Sequence, residues 1–277
     1  MRQIILLAHA IDASAAALHA ALLAQHPHAS VRWVDAAALT LANWSWLLPG
    51  VGDGMVHAAL RLPDGSVLQP GPGDIVVNRC ASPDPPAFAA ASAADRDYAR
   101  QEASAILHAW LDSLPALVLN PPGAGMGAWA RQGPLPWLAL AHHAGLPTRD
   151  AIAACPGRQA GRLDGWQAFP IAAESWTSAL PGVAIGVLPG SLPQLLLEPL
   201  MPPFRRVIVC TGAVHGGPLA AGCLRLAANA GTPLLAIEFG TAADGTERMM
   251  QADPLPDLTP ADAMFVAAQL APLSVTA

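Results

Sequence analysis

Apolar and polar positions fall in blocks along the chain, and the blocks predict strands and helices in turn. Gln3-Ile4-Ile5-Leu6-Leu7-Ala8 is a continuous apolar run, the pattern of a strand buried on both faces. Asp12 and Ser14 offer capping oxygens for a helix through about Gln25, with Leu18, Leu22 and Leu23 as its apolar positions. Val31-Arg32-Trp33-Val34 follows as a second strand, so the chain opens β-α-β. Leu60 to Leu68 reads as a hairpin turning at Pro63-Asp64-Gly65. Asp74-Ile75-Val76-Val77-Asn78-Arg79 reads as a strand that ends in polar residues before a proline-rich loop. A helix is predicted from Asp95, taken as its cap, to Leu111, with Ile106, Leu107, Trp110 and Leu111 on one face.

Ala116-Leu117-Val118-Leu119-Asn120 predicts a further buried strand, and a glycine- and proline-rich loop at 121–136 separates it from a helix at about 136–144, stopped by Gly145. Residues 155–203 are the least regular stretch. Order returns with a strand at Arg206-Val207-Ile208-Val209-Cys210 and a helix from about 218 to 230 closed by Gly231. Two strands joined by an Asp-Gly turn occupy 236–256, and Thr259 caps a last helix through about Leu270. Glu238 leaves the apolar run of the first of these strands and Asp253 lies near the end of the second, so each carries an acid. No internal repeat is visible, and the alternation of strands and helices argues for α/β or α+β layers.

Composition narrows the functional classes. A length of 277 residues accommodates two or three modest domains. The formal charge of −6 argues against a nucleic-acid surface, which needs clustered cations. All 14 basic residues are arginines, so any mechanism that requires a lysine is excluded. Cys80, Cys155, Cys210 and Cys223 are scattered with no C-x-x-C spacing and read as small buried hydrophobes in a reducing compartment. The apolar run after Arg2 is too short for a signal peptide and Asp12 interrupts it. No stretch offers about 18 uninterrupted apolar residues. The expectation is a cytoplasmic protein with no membrane span.

Several constellations carry less chemistry than they first suggest. Asn120-Pro-Pro-Gly-Ala-Gly-Met-Gly-Ala-Trp-Ala-Arg-Gln-Gly133 follows a strand, but it fits neither dinucleotide nor Walker spacing and reads as an interdomain loop. His26, His28, His142 and His143 read as capping or solvated side chains, since adjacent histidines on a helix point to different sides. The serines lack a G-x-S-x-G context. Asn78-Arg79, at a strand end, suits a carboxylate or phosphate fork, and equally a structural salt bridge.

Taken in order, these pieces resemble the ATP-grasp superfamily, in particular the ligases that modify ribosomal peptides and the glutathione-synthetase-like enzymes. DIVVNRCASPDPP looks like the end of that family's N-terminal domain, and DRDYARQEASAILHAWLDSLPALVLNPPGA is similar to the helix, strand and Asn-Pro loop that follow. WLALAHHAGLPTRDAIAAC resembles the family's helix, Gly-Leu-Pro and strand, and LLLEPLMPPFRRVIVCTGAVHG its adenine-side hinge and the strand after it. The resemblance spans about residues 3–272 and implies an N-terminal β-α-β domain at 1–120, a linker and reduced central lobe at 121–203, and a C-terminal lobe at 204–277. It places Glu198 beside an adenine edge, makes Glu198 and Arg206 candidate nucleotide contacts, and leaves Arg79 and Arg206 as candidate catalytic groups.

The chain also departs from the family. The phosphate-holding lysines are absent, with Arg158, Arg162 and Arg206 the available cations, and about 45 residues between Cys155 and Pro199 are short for a complete lid. The family's metal element pairs an acid on one strand with Glu-x-Asn-Pro on the next. Here Glu238 keeps the first place, Gln251 replaces a carboxylate and Asp253 stands at the asparagine, leaving Glu238 and Asp253 as a weakened magnesium site. The resulting expectation is a degenerate ligase fold with lost or much reduced activity, serving as a peptide- or partner-binding subunit in a peptide-modification pathway, with no cofactor and with a homo-oligomer compatible. The alternative is a working ATP-dependent carboxylate–amine ligase that forms an acyl phosphate and uses ATP and magnesium. A small-molecule binder unrelated to ATP is the third reading.

Overall fold

A computed structural model describes residues 3–47, 57–80, 82–122, 133–154, 166–170, 194–217 and 219–270. The chain divides into two units, Met1–Met126 with Leu255–Ala277, and Gly127–Pro254.

In the first unit the apolar runs become a parallel sheet. Strands β1 (Gln3–Ala8) and β2 (Ser30–Asp35) flank helix α1 (Ala13–Gln25), giving the expected β-α-β opening. Helix α2 (Ala36–Thr40) follows directly, and β3 (Asn43–Leu47), β4 (His57–Arg61) and β5 (Val67–Leu68) form a separate antiparallel sheet. Strand β6 (Ile75–Asn78), helix α3 (Ala93–Ser113) and strand β7 (Leu117–Leu119) complete the parallel order β2-β1-β6-β7. Ile4 to Ala8 are fully buried, which explains the uninterrupted apolar run. Leu107, Trp110 and Leu111 of α3 pack with Leu60 and Leu68 of the small sheet and with Ile5 and Val76 of the parallel one.

The cap of α3 is Ser92 and not Asp95. The Ser92 hydroxyl accepts from the Asp95 amide at 3.2 Å and donates to the Asp95 carboxylate at 2.7 Å, so Asp95 sits in the first turn. Ile106 lies off the buried stripe, 39% exposed. Asp12 caps α1 through the Ala15 amide at 2.9 Å, as its position suggests.

In the second unit, α4 (Pro134–His143) and α5 (Ala220–Asn229) cover one face of an antiparallel sheet. That sheet contains β11 (Met201–Cys210), β12 (Ala213–His215), β13 (Leu234–Thr241) and β14 (Glu247–Asp253) in the order β12-β11-β13-β14. Val207, Val209, Leu235, Ile237, Phe239 and Met249 point to the helices, so alternation sends Arg206 and Glu238 to the other face, and a bulge in β14 between Met249 and Gln251 puts Gln251 there with them. A smaller antiparallel sheet has β8 (Ala151–Ala154), β10 (Gln194–Leu197) and β9 (Gln167–Pro170) in that spatial order; β8 lies at the strand that followed Gly-Leu-Pro, while β9 and β10 fall in the stretch the sequence left irregular. The last helix, α6 (Pro260–Leu270), returns to the first unit, where Gln25 donates to the Met264 carbonyl and the Ser14 hydroxyl accepts from the Leu258 amide, each at 2.9 Å.

Gly216 has φ +98°, and a Cβ there would lie 2.9 Å from the Arg206 carbonyl oxygen. Gly216→Ala is therefore expected to destabilise the protein by more than about 1 kcal/mol in chemical denaturation. Cys80, Cys210 and Cys223 are free and buried, with burial holding the thiols of Cys80 and Cys210 up at about 12, so they behave as small hydrophobes. Cys155 lies outside the described residues. Among the described residues no helix is long and apolar enough to cross a membrane.

Candidate functional site

The helix-free face of the β11–β14 sheet concentrates the polar candidates. Arg206 on β11, Glu238 on β13 and Gln251 on β14 are register partners across three adjacent strands. Asp253, opposite Ala236, shares that face two residues beyond Gln251 and is itself partnered. A bulge between Glu238 and Phe239 breaks the ladder there and re-aims the β14 side chains. The fold thus places on one surface Arg206, named from the sequence as a nucleotide or catalytic candidate, and Glu238, Gln251 and Asp253, named separately as the altered metal element.

The central contact is between Gln251 and Glu238. The Gln251 Nε2 donates to the Glu238 carboxylate at 2.7 Å. A hydrogen bond to a carboxylate of this length is among the stronger neutral-to-charged contacts, worth about 1.5–3 kcal/mol. Arg206 faces Glu238 across the strand pair without closing an ion pair, and its Nε is buried with no hydrogen-bond partner.

Glu198, at the end of β10, is engaged differently. Its carboxylate accepts from Arg248 Nη1 at 2.9 Å and from the Asp150 amide at 3.0 Å, and its own amide donates to the Asp150 carbonyl at 2.9 Å. The side chain therefore ties β10 to β14. Arg248 also holds Asp244 at 2.7 Å, closing the turn of the hairpin.

Two arginines escaped the sequence reading. Arg248 had a signal, an acid four residues earlier across an Asp-Gly turn. Arg149 had none beyond its place in Gly-Leu-Pro-Thr-Arg-Asp. The backbone around it docks on β14, with Thr148 bridged to Met249, so alternation turns Arg149 away from the helices toward the polar face. Arg149 is 8% exposed, and its Nε has no partner. Burial pulls its guanidinium down to about 10, opposed by the charge of Glu198. Arg149 and the half-buried Arg206 form no ion pair among the described residues, an uncommon state for a buried cation such as Arg149. A face with two uncommitted guanidinium groups is suited to an anion.

Arg79 lies in the first unit and is fully engaged. Its Nε donates to Asp12 at 2.8 Å, Nη2 to the second Asp12 oxygen at 3.3 Å and Nη1 to the Pro256 carbonyl at 2.9 Å. This is the salt-bridge alternative the sequence left open, joining the end of β6 to the cap of α1 and the segment before α6. Asn78 accepts from the Cys80 amide at 3.1 Å and donates to the Asn120 carbonyl at 3.3 Å. Arg158, Arg162 and residues 123–132 of the glycine loop lie outside the described residues. His26 bonds the Ala267 carbonyl at 2.9 Å, and His142 and His143 end α4.

Magnesium favours hard oxygen ligands in octahedral geometry, usually from one or two carboxylates. Here the oxygen of Glu238 that faces β14 already receives an amide N–H, and an N–H cannot ligate a cation. Among the described residues no group of three or more His, Cys, Asp or Glu side chains is placed to hold a metal ion. The donor set as arranged does not fit a metal bridging two carboxylate-bearing strands.

No protein-family model and no curated protein sequence matches the chain. Solved structures do. The macrocyclase MdnC from Microcystis aeruginosa MRC, bound with precursor peptide MdnA, superposes with a TM-score of 0.70 at 13% identity, covering 98% of this chain and 99% of that one. The ATP-grasp ligase PsnB, complexed with minimal precursor, Mg and ADP, gives 0.68 at 17% identity, covering 98% of each chain. A Chryseobacterium gregarium RiPP-associated ATP-grasp ligase, in complex with ADP and a leader and core peptide, gives 0.69 at 13%, covering 98% of this chain and 97% of that one. At such identities the likeness carries the architecture alone: the chain has a mixed α/β, ATP-grasp-like fold over nearly its whole length.

Proposed function

We propose that this protein is a peptide- or partner-binding subunit of a peptide-modification system, built on a ligase fold whose metal-dependent phosphoryl chemistry is lost or much reduced. The observation that carries the reading is the Gln251–Glu238 hydrogen bond, which occupies the place where two carboxylates would share a cation. The solved structures of this fold that hold precursor peptides support the peptide as the partner class. On this reading residues 1–120 form the N-terminal domain, 121–203 a linker with a reduced central lobe, and 204–277 the C-terminal lobe, of which the last stretch, 255–277, groups with the first unit and not with the β11–β14 sheet. Glu238 and Asp253 are the remnant of the metal site. The three buried free thiols support a reducing, cytoplasmic setting.

A second reading is favoured by the two uncommitted arginines. An active ligase would transfer the terminal phosphoryl group of ATP to a substrate carboxylate, and an amine would then displace phosphate from the acyl phosphate. Arg149 and Arg206 could neutralise phosphate charge where lysines are absent, with Glu198 positioned at the hinge.

Calorimetric titration with ATP, with and without magnesium, separates the two. The pseudoenzyme reading predicts weak binding that magnesium does not strengthen. Micromolar binding that requires magnesium would establish the ligase instead. Under either reading Arg149→Met is expected to weaken tripolyphosphate binding about tenfold in magnesium-free buffer, a loss of one charge-assisted contact, while Arg32→Met, in the other unit, leaves it unchanged.

A further inference from the structure

The first unit carries a cavity of its own, about 270 Å³, between α2, β3, a single 3₁₀ turn at Pro86–Phe88 and the N-terminal half of α3. Leu39 and Ala99, both buried, form its floor. Trp44, Phe88 and Tyr98 line it, with Phe88 44% and Tyr98 65% exposed, so two aromatic side chains stand in water around an apolar hollow. Glu102 also lines the groove, one helical turn after Tyr98 and on the same helix face.

The charges around the groove are unevenly committed. Arg100 is held by Asp84 at 3.1 Å and Asp97 at 2.8 Å, and Arg96 donates to the Ala91 carbonyl at 2.6 Å. The Glu102 carboxylate makes no ion pair or hydrogen bond with any described residue, which leaves it as the groove's uncommitted charge. A carboxylate beside aromatic faces attracts a cation through both its charge and the ring quadrupoles. The hollow below is apolar and accepts an alkyl stem. The chain itself is acidic, with a formal charge of −6 and no lysine, so a basic partner is also complementary at long range.

We propose that this groove docks a peptide through an arginine or lysine side chain, the alkyl stem lying against Trp44 and Tyr98 and the head meeting Glu102. The inference rests on the peptide-binding reading for the partner's being a peptide, and on the groove alone for its chemistry. It is independent of the nucleotide question in the second unit.

The test is a titration of the nitrogen-15-labelled full chain with two blocked peptides, Ac-Gly-Leu-Arg-Leu-Gly-NH2 and its glutamate counterpart. The expected result is saturable shifts at the amides of Ala99, Glu102 and Ala103, with the arginine peptide about tenfold tighter. Glu102→Arg, an exposed site whose exchange leaves the remaining spectrum in place, is expected to reverse the preference. Equal affinity for the two peptides, or no shift at millimolar arginine peptide, overturns the proposal. Saturable shifts that spare residues 83–106 also overturn it, while leaving peptide binding elsewhere on the chain intact.

Discussion

Gln251→Glu is expected to lower the melting temperature by several degrees in metal-free buffer and to regain it when magnesium is added. Two effects add in the metal-free state. The hydrogen bond from Gln251 Nε2 to Glu238 is lost, and two carboxylates come to face each other directly across adjacent strands. A bond to a charged acceptor contributes about 1.5–3 kcal/mol, and like charges directly opposite cost up to about 1 kcal/mol more. Magnesium bridging the new pair removes the repulsion and stabilises the folded state by binding it selectively. The same substitution is expected to raise magnesium-dependent ATP turnover on the order of 100-fold, the usual scale of one electrostatic clamp on a transition state. A variant whose melting temperature ignores magnesium would show that Gln251 is not what closes the metal seat.

Arg79→Met is expected to cost about 3 kcal/mol of stability, because it strands the Asp12 carboxylate and the Pro256 carbonyl that the guanidinium now satisfies. The pair also shapes the acid limb of the stability profile. Burial raises the Asp12 carboxyl, but the hydrogen bond from Arg79 and those from the Ala15 and Ser14 amides outweigh it, so Asp12 titrates below its ordinary 3.8. A depressed carboxyl contributes stability that is present above its unfolded value and is lost as pH falls through the folded one. Chemical denaturation of the wild type should therefore weaken below about pH 4, and Arg79→Met should flatten that limb. ATP binding should be unchanged, since Arg79 is spent within the first unit. Unchanged stability with altered nucleotide binding would instead return Arg79 to the list of site residues.

Much of the frame was legible because local chemistry and global fold agree. The run Ile4–Ala8 is apolar throughout because the parallel sheet buries it on both faces, and the Asp-Gly turn sets the β13–β14 hairpin register. The Glu238–Gln251–Asp253 face was not legible from period-two alternation, since regular pairing would set Gln251 opposite Ile237, and it is the bulge after Glu238 that brings Gln251 beside it. What escaped depends on distant partners. Asn43-Trp44-Ser45-Trp46-Leu47 is a strand only because β4 and Trp110 receive it, and β10 is a short apolar run until β8 and β9 pair with it. Ser92 takes the cap because its hydroxyl accepts the Asp95 amide, which starts the helix three residues earlier and leaves Asp95 inside the first turn. Arg149 carries no local signature at all, since its burial comes from backbone docking on β14, a contact made 100 residues further along.

The central claim is that an amide now stands where this fold would share a cation between two strands. Electron paramagnetic resonance of manganese(II), standing in for magnesium, tests it most directly with the wild-type chain and Gln251→Glu in the presence of ADP. The account predicts that the wild type leaves the free hexaaqua signal at the height set by manganese and ADP alone, and that Gln251→Glu diminishes it further. A wild-type protein that diminishes the signal as strongly as the variant would contradict the account.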